Sequence, residues 1–172
     1  DLSAAAVQTE NTTGRFGVER AGGAESAANR PLDDFIARLN ADGSLDSSFD
    51  PGSGVQGSVE TLALQSDGKV LIAGTFSAVN NVPRGRVARL NVDGSVDTTF
   101  DPCSGADNTV FTLAVLPNNK VLIGGEFTTI GGVSRRRIAR LNEDGSLDVA
   151  FDPGSGANRM VHDMALQTDG KV

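Results

Sequence analysis

The sequence contains no tryptophan, no tyrosine, one cysteine and one histidine among its 172 residues. A single cysteine excludes an internal disulfide, and no apolar run approaches the roughly 20 residues of a membrane helix, so we expect no membrane insertion. Basic residues are scarce as well: 15 Lys and Arg stand against 22 Asp and Glu, which gives a net charge of −7. Nucleic acid requires a basic surface, so we expect no nucleic-acid partner.

What the chain has instead is glycine, with 21 residues, and a strict internal repeat. The segment Asn40–Asp46 returns as Asn91–Asp97 and again as Asn142–Asp148, each copy 51 residues after the last. A fixed period of this length is typical of a stacked or radial array of one supersecondary unit. The repeat therefore specifies architecture more closely than chemistry.

Within one copy the apolar pattern predicts four strands, at 59–65, 69–76, 86–91 and 95–100. An Asp-Gly pair joins the first strand to the second and the third to the fourth. This pair is a strong hairpin signal, since glycine accepts the positive φ of a two-residue primed turn. A longer loop, residues 77–85, joins the second and third strands. No segment has a convincing helical period.

Four short antiparallel strands in every 51 residues predict an all-β fold of β-propeller blades, because nothing in a β-sandwich requires a strict period. Closed propellers typically have 4–8 blades. We therefore expect an incomplete ring whose open edges pair with further blades of the same chain or with a second copy. The expected units are a degenerate repeat or linker at 1–30 and propeller repeats at 31–172, namely a half blade at 31–50, blades at 59–100 and 110–151, and a truncated blade at 161–172.

Residues that recur in every copy are interpreted as scaffold. Phe49, Phe100 and Phe151 each end an outer strand, and we expect them to fill the gap to the next blade. Gly74 and Gly125 lie within strands, where the absence of Cβ lets an adjacent segment approach closely.

Three motifs in this order carry a family resemblance: Leu62–Phe76, Arg86–Asn91 and Asp93–Pro102. They resemble the delta-60 repeat, a bacterial β-propeller family without an established activity. The resemblance covers about residues 35–172. It implies the propeller fold and an extracellular or cell-surface location, and it implies no catalytic or cofactor residue, because the family offers none to match.

Three patterns suggest chemistry, and each has a simpler interpretation. The oxygen-rich segment 40–46 resembles a calcium loop, but Pro51 stands where a calcium-binding loop has its last acidic ligand, and a hairpin turn explains the segment equally well. The glycine-rich connector 50–54 lacks the Lys-Ser/Thr of a nucleotide loop. His162 adjoins Asp163, but neighbours on a strand face opposite ways. We predict no catalytic residue, no cofactor and no metal site, with calcium binding at the turns left open.

The loop between the second and third strands and the Asp-Pro-Gly connector are expected to open on one face of the propeller. Several positions there differ between copies, which is typical of ligand contacts, although neutral drift produces the same pattern. The candidate partner-binding residues are Gln56, Glu60, Arg84, Asp107, Asn108, Phe111, Arg135, Arg136, Asn158, Arg159 and His162.

We therefore expect a non-enzymatic interaction or scaffold module that binds a protein or polysaccharide through this face. One alternative is a carbohydrate-binding adhesin, but sugar sites usually rely on aromatic rings and Phe111 is the one aromatic residue proposed for the face besides His162. The other alternative is a fragment of an enzyme whose site is completed by further blades.

Overall fold

Short antiparallel strands make up the regular structure of the described chain. The computed structural model describes residues 6–9, 36–167, 169, 171 and 172. Those ranges contain no helix, and accordingly none that could cross a membrane. The strands are β1 Ala6–Thr9, β2 Ile36–Leu39, β3 Val59–Leu64, β4 Val70–Gly74, β5 Ala78–Val79, β6 Val82–Pro83, β7 Val87–Leu90, β8 Val110–Val115, β9 Val121–Gly125, β10 Thr129–Ile130, β11 Val133–Ser134 and β12 Ile138–Leu141.

The two full blades are equivalent three-stranded sheets. In the first, β4 lies between β3 and β7, and in the second, β9 lies between β8 and β12. The registers match as well, since Leu71 is opposite Arg89 just as Leu122 is opposite Arg140. Because the pairing recurs at the sequence period, each copy folds as the same unit. This confirms the predicted all-β propeller architecture, and the described sheets do not close into a ring.

The prediction of a fourth, outermost strand in each blade is wrong. Residues 95–100 contribute one antiparallel bridge, between Leu90 and Val96, and an equivalent bridge occurs in the second blade. The chain then turns, because the Asp97 carboxylate accepts hydrogen bonds from the backbone N and the hydroxyl of Thr99 at 2.9 and 2.6 Å. A side chain that binds its own neighbouring backbone competes with sheet pairing. The outer position of each blade is therefore a bridge followed by a turn.

The segment predicted as a truncated blade, 161–172, has no strand among its described residues. Val161 N donates to Gly125 O at 3.0 Å, and Gln167 N donates to Lys171 O at 2.7 Å within the predicted hairpin turn. A strand requires a paired neighbour along its length. Here the segment makes a single backbone bond with the second blade, so the turn forms without the strand.

The Asp-Gly turns confirm the predicted hairpin positions but not the predicted turn type. Gly94 N donates to Asn91 O at 2.9 Å and Asn91 N donates to Ser95 O at 2.8 Å, which leaves a three-residue loop. Within that loop only Gly94 has a positive φ, of 90°. This is a type I turn followed by a G1 bulge rather than a two-residue primed turn. In the second blade Asn119, with a φ of 60°, takes the glycine position of the first hairpin.

The loop between the second and third strands contains a small hairpin that the sequence analysis missed. In the first blade β5 and β6 are joined by Asn80 and Asn81, with φ values of 47° and 59°. In the second blade β10 and β11 are joined by Gly131 and Gly132, with φ values of 56° and 79°. Two consecutive residues with positive φ are the signature of a type I′ turn.

The hydrophobic core lies between neighbouring blades. Successive residues of a strand point to opposite faces of the sheet. Val70 and Ile72 of β4 therefore pack with Phe49 of the preceding half blade, whereas Leu71 packs on the other side with Phe100 and the second blade. Phe100 is fully buried and Phe49 nearly so. The predicted role of these phenylalanines in filling the gap between blades is thus confirmed at both positions.

Strand β1 is a further element that the sequence analysis did not predict. It pairs antiparallel with β2, from Ala6 opposite Leu39 to Thr9 opposite Ile36. Strand β2 is equivalent to β7 of the first blade, and β1 pairs with β2 in the same way as β4 pairs with β7. The rest of the predicted degenerate repeat or linker at 1–30 lies outside the described residues.

Candidate partner-binding face

The connectors between blades and the loops between second and third strands meet on one side of the propeller. Gln56 N donates to Ala78 O at 2.9 Å, and Asn80 N donates to Gly54 O at 2.7 Å. In the next copy Gly131 N donates to Gly105 O at 2.8 Å. The structure thus brings together the segments that the sequence analysis placed on one face. We call this side the loop face; it consists of residues 51–60, 75–86, 102–111, 126–137 and 153–162.

Most of the candidate residues are accessible on this face. Phe111 and Arg135 are half-buried and Arg84 is buried. The exposed ones are Gln56, Glu60, Asp107, Asn108, Arg136, Asn158, Arg159 and His162.

Arg84 is a correction to the predicted set. The next connector packs directly against the adjacent Gly85, where an added Cβ would clash with the carbonyl of Ser104. The Arg84 guanidinium folds back, and its Nη1 donates to the carbonyl of Pro83 at 2.9 Å. Its Nε is buried without a protein partner in the described chain. The structure therefore removes Arg84 from the accessible part of the loop face.

Asp107 stabilises the loop face by hydrogen bonds between two of its segments. One carboxylate oxygen accepts the backbone N–H groups of Thr128 and Thr129 at 2.7 and 3.0 Å, and the other accepts the Thr128 hydroxyl at 2.6 Å. Desolvation raises the pKa of Asp107, but these hydrogen bonds outweigh it and bring the pKa to about 2. The carboxylate is therefore ionised at neutral pH and holds the connector to the loop beside β10.

His162 and Phe111 come from successive copies and stack on each other. Their ring centroids lie 5.0 Å apart, with an angle of 33° between the planes. Asp163 does not orient the imidazole, because its Oδ1 accepts from Met164 N at 2.8 Å and lies 3.5 Å from the Thr112 hydroxyl. The pair forms an aromatic platform at the inner edge of the loop face.

Two shallow depressions lie in the loop face of the second blade. One, of about 280 Å³, is lined by Ser134, Arg135, Arg136, Pro153, Gly154 and Ser155. The other, of about 470 Å³, is lined by Glu126, Arg137, Asn158, Arg159, Met160 and His162. The candidate set missed Glu126, Arg137 and Met160. Glu126 and Met160 show the same signal as the residues it included, because they replace Thr75 and Thr109 of the previous copy.

The opposite side, which carries the Asp-Gly turns and is called the turn face here, holds a repeated ion cluster. In the first blade the Asp97 carboxylate accepts from Lys69 Nζ at 2.8 Å and from Arg89 Nε at 2.7 Å. The Arg89 guanidinium also lies 4.9 Å above the Phe100 ring, and its Nη1 donates to Glu143 O of the next blade at 2.8 Å. The cluster thus ties three elements of one blade to its neighbour.

The same cluster recurs 51 residues on, with Lys120, Arg140 and Asp148. Desolvation raises the pKa of Asp97, but the hydrogen bonds from lysine, threonine and arginine outweigh it, and the pKa falls well below the usual value of 3.8. At Asp148 the hydrogen bond from Lys120 is the largest cause, and the pKa falls to about 2. The aspartates of the connectors do not take part in these clusters; the Asp50 carboxylate, for example, accepts a hydrogen bond from Gly52 N at 2.9 Å.

The oxygen-rich turns use their oxygens internally. Asp42 Oδ1 accepts from the backbone N and the hydroxyl of Ser44 at 2.9 and 2.6 Å, while Asp46 is bound by Arg38 at 2.8 Å. These contacts are those of a side-chain-capped turn. Across 36–167 and the other described positions, no group of three or more His, Cys, Asp or Glu side chains is arranged to hold a metal ion.

The sequence matches the family described as "Domain of unknown function (DUF5122) beta-propeller" over residues 21–49, 65–100 and 116–151, more than half of the chain. Each of the last two ranges begins at the hairpin before the central strand of a blade and ends at the buried or half-buried phenylalanine, Phe100 or Phe151. No curated protein and no solved structure matches the chain. Because three copies match and two of them fold as the same sheet, the chain belongs to this β-propeller family of unknown function.

Proposed function

We propose that this chain is a non-enzymatic interaction module that binds a macromolecular partner through the loop face. The observation that supports it is the partition of repeated and varied residues. Residues that recur, such as Leu71 with Leu122 and Asp97 with Asp148, are buried in the core or in the ion clusters. Exposed loop-face residues change from copy to copy, as at Asn108 and Arg159. A rigid scaffold that presents variable loops is the usual basis of recognition by repeat proteins.

The proposal extends to the affiliation and the location of the module. The motifs at 62–76, 86–91 and 93–102 resemble the delta-60 repeat, which supports a secreted or cell-surface bacterial protein. The partner would then be an extracellular protein or polysaccharide, or further blades of the same array.

A carbohydrate-binding adhesin is the second candidate, favoured by one observation. Phe111 and His162 form an aromatic pair at the inner edge of the loop face, and aromatic surfaces stack on sugar rings. The pair already buries part of the Phe111 ring against the imidazole, which leaves less aromatic surface for a sugar. For this reason we favour a protein partner.

The experiment is an unbiased ligand search with matched variants. The folded chain is used to select from a random-peptide display library and to probe a glycan array. We expect ligands whose binding is lost in the loop-face variant Asn108→Ala, Asn158→Ala, Arg159→Ala and kept in the turn-face variant Ser66→Ala, Glu143→Ala. Circular dichroism checks that both variants are folded.

Four outcomes test these assignments. Peptide ligands lost only in the loop-face variant support a protein-binding module, and glycan ligands lost on Phe111→Ala support the adhesin. Equal binding by the loop-face and turn-face variants would overturn the role of the loop face. Turnover in a broad hydrolase and transferase panel that His162→Ala abolishes would overturn the non-enzymatic assignment.

A further inference from the structure

The basic residues of the described chain divide cleanly between the two faces. Every lysine, together with Arg38, Arg89 and Arg140, forms an ion pair with an aspartate on the turn face. The other arginines of the described residues form no ion pair, and all of them belong to the loop face: Arg84, Arg86, Arg135, Arg136, Arg137 and Arg159.

Internal hydrogen bonds account for some of these arginines but not for all. Arg86 Nη1 donates to Ala106 O at 2.6 Å, and Arg137 Nη1 donates to Ala157 O at 2.9 Å, so both hold a loop to the next connector. Arg135 donates to its neighbour Ser134 at 2.9 Å. Arg136 and Arg159 are exposed, and among the described residues their guanidinium groups donate no hydrogen bond. These two arginines are therefore available to a ligand.

Their positions make them a local feature of the second blade. The previous copy has Gly85 where Arg136 stands and Asn108 where Arg159 stands. Arg136 lines the smaller depression and Arg159 the larger one, and the connector 152–160 contributes to both. In a protein with a net charge of −7, this is a concentrated positive patch on an otherwise acidic molecule.

The type of cation indicates the type of anion. The loop face uses arginine throughout, and the planar guanidinium binds a carboxylate through two parallel hydrogen bonds, which lysine cannot do. Met160, 45 % exposed, and the Phe111–His162 pair add an apolar surface beside Arg159. A ligand that matches this surface has carboxylates next to an apolar side chain. A sulfated or phosphorylated polyanion supplies the negative charge but no apolar side chain for Met160.

We propose that the loop face of the second blade binds an acidic peptide segment, with carboxylates on Arg136 and Arg159 and an apolar side chain against Met160. This inference rests on the proposed interaction function and names its partner class. Glu126 lines the larger depression and opposes the carboxylate there, so it weakens the binding of acidic ligands. The site thus has two attractive groups and one repulsive group that can be changed separately.

The test uses a fluorescein-labelled eight-residue peptide of alternating Glu and Leu, measured by fluorescence anisotropy at low and at moderate salt. We expect the double variant Arg136→Gln, Arg159→Gln to bind about tenfold more weakly or worse, and Glu126→Gln to bind more tightly. Lys171→Gln removes one positive charge from an exposed side chain on the turn face and serves as the matched control, with unchanged affinity. The Gln-Leu counterpart of the peptide should not bind.

Several results would overturn the inference. One is equal binding of the Glu-Leu and Gln-Leu peptides, and another is an equal loss of peptide affinity in Lys171→Gln and in the arginine double variant. A third is tighter binding of an eight-nucleotide single-stranded DNA or of a sulfated oligosaccharide than of the acidic peptide. The display selection separates this failure from failure of the proposed function. If it returns neutral peptides that the loop-face variant no longer binds, the interaction module stands and the acidic specificity is wrong.

Discussion

Replacing Asp97 by asparagine tests whether the buried ion cluster stabilises each blade. The substitution keeps the shape of the side chain, and the amide oxygen can still accept from Thr99. The amide nitrogen, however, presents N–H donors to Lys69 Nζ and Arg89 Nε, which lie 2.8 and 2.7 Å from the carboxylate in the native protein. Donors then meet donors, and two positive charges lose their counter-ion.

The magnitude follows from the exposure of the two cations. The Arg89 side chain is 7 % exposed and is held by Glu143 O, so its charge stays buried, whereas Lys69 is 28 % exposed and can turn to water. Removing one partner of a buried ion pair costs about 3–5 kcal/mol, and the escape of Lys69 favours the lower end, about 3 kcal/mol. In a chain of 172 residues, each kcal/mol lowers the Tm by about 2–4 °C, so we expect a decrease of about 6–12 °C.

Thermal unfolding followed by far-UV circular dichroism at pH 7 measures this loss. Asp46→Asn is the matched variant in the half blade, where the carboxylate is 21 % exposed and is ion-paired with Arg38, with no lysine partner in the described chain. It should lose clearly less. Asp93→Asn, in an exposed turn where the carboxylate binds Ser95, is the control. If Asp97→Asn melts within about 2 °C of the native protein, or if Asp46→Asn loses as much, the cluster does not stabilise the blade and the reasoning fails.

Two further predictions concern packing and pH. Gly125→Ala should destabilise the folded protein by about 3 kcal/mol, because the new Cβ would clash with the backbone carbonyl of Thr109. In Gly124→Ala the new Cβ meets mainly side chains, so the loss of stability should be clearly smaller. Equal midpoints of urea unfolding for the two variants would contradict this. Acid should also destabilise the fold, because the pKa values of Asp107 and Asp148 are about 2 in the folded protein against an ordinary value of 3.8. Both carboxylates stabilise the fold fully above about pH 5 and lose that contribution as the pH falls through 4 towards 2; a urea midpoint that stays constant over this range would refute it.

The architecture could be predicted from the sequence because it depends on local signals. Hairpins within one copy are encoded by neighbouring residues, and the 51-residue period shows that every copy is built alike. The same kind of signal was present for the small hairpins and was overlooked. Gly131-Gly132 and Asn80-Asn81 stand between β-branched residues; Gly-Gly is a known signal for a type I′ turn, and asparagine tolerates the positive φ that such a turn requires.

The ion clusters could not be read from the sequence with equal ease, since Lys69, Arg89 and Asp97 lie on three different elements. A clue existed, because all three recur at the period, although nothing in the sequence says which aspartate faces which cation. Asp101, in the connector, is another aspartate that could have paired with Lys69 or Arg89, but in the structure its carboxylate accepts a hydrogen bond from Cys103 N at 2.9 Å. Pairing across a sheet is decided by register, which the repeat alone does not reveal.

Accessibility on the loop face was the other limit of sequence reasoning. Arg84 and Arg135 occupy equivalent positions and had been treated alike. One is buried and the other half-buried, because burial depends on how the following connector packs over the loop. Arg136 and Arg159, on which the proposed peptide site depends, were among the predicted candidates and are exposed, but nothing in the sequence distinguished them from the buried Arg84.

The sharing of each hydrophobic core by two adjacent sheets has a consequence for how such proteins grow. Leu71 and Ile72 pack against different neighbouring sheets, so no single copy forms a complete hydrophobic core. If one 51-residue repeat is duplicated, both faces of the new sheet are therefore already complementary to the sheets beside it. Gene duplication can lengthen the array without inventing a new interface, and each added copy brings another set of surface loops on which selection can act independently.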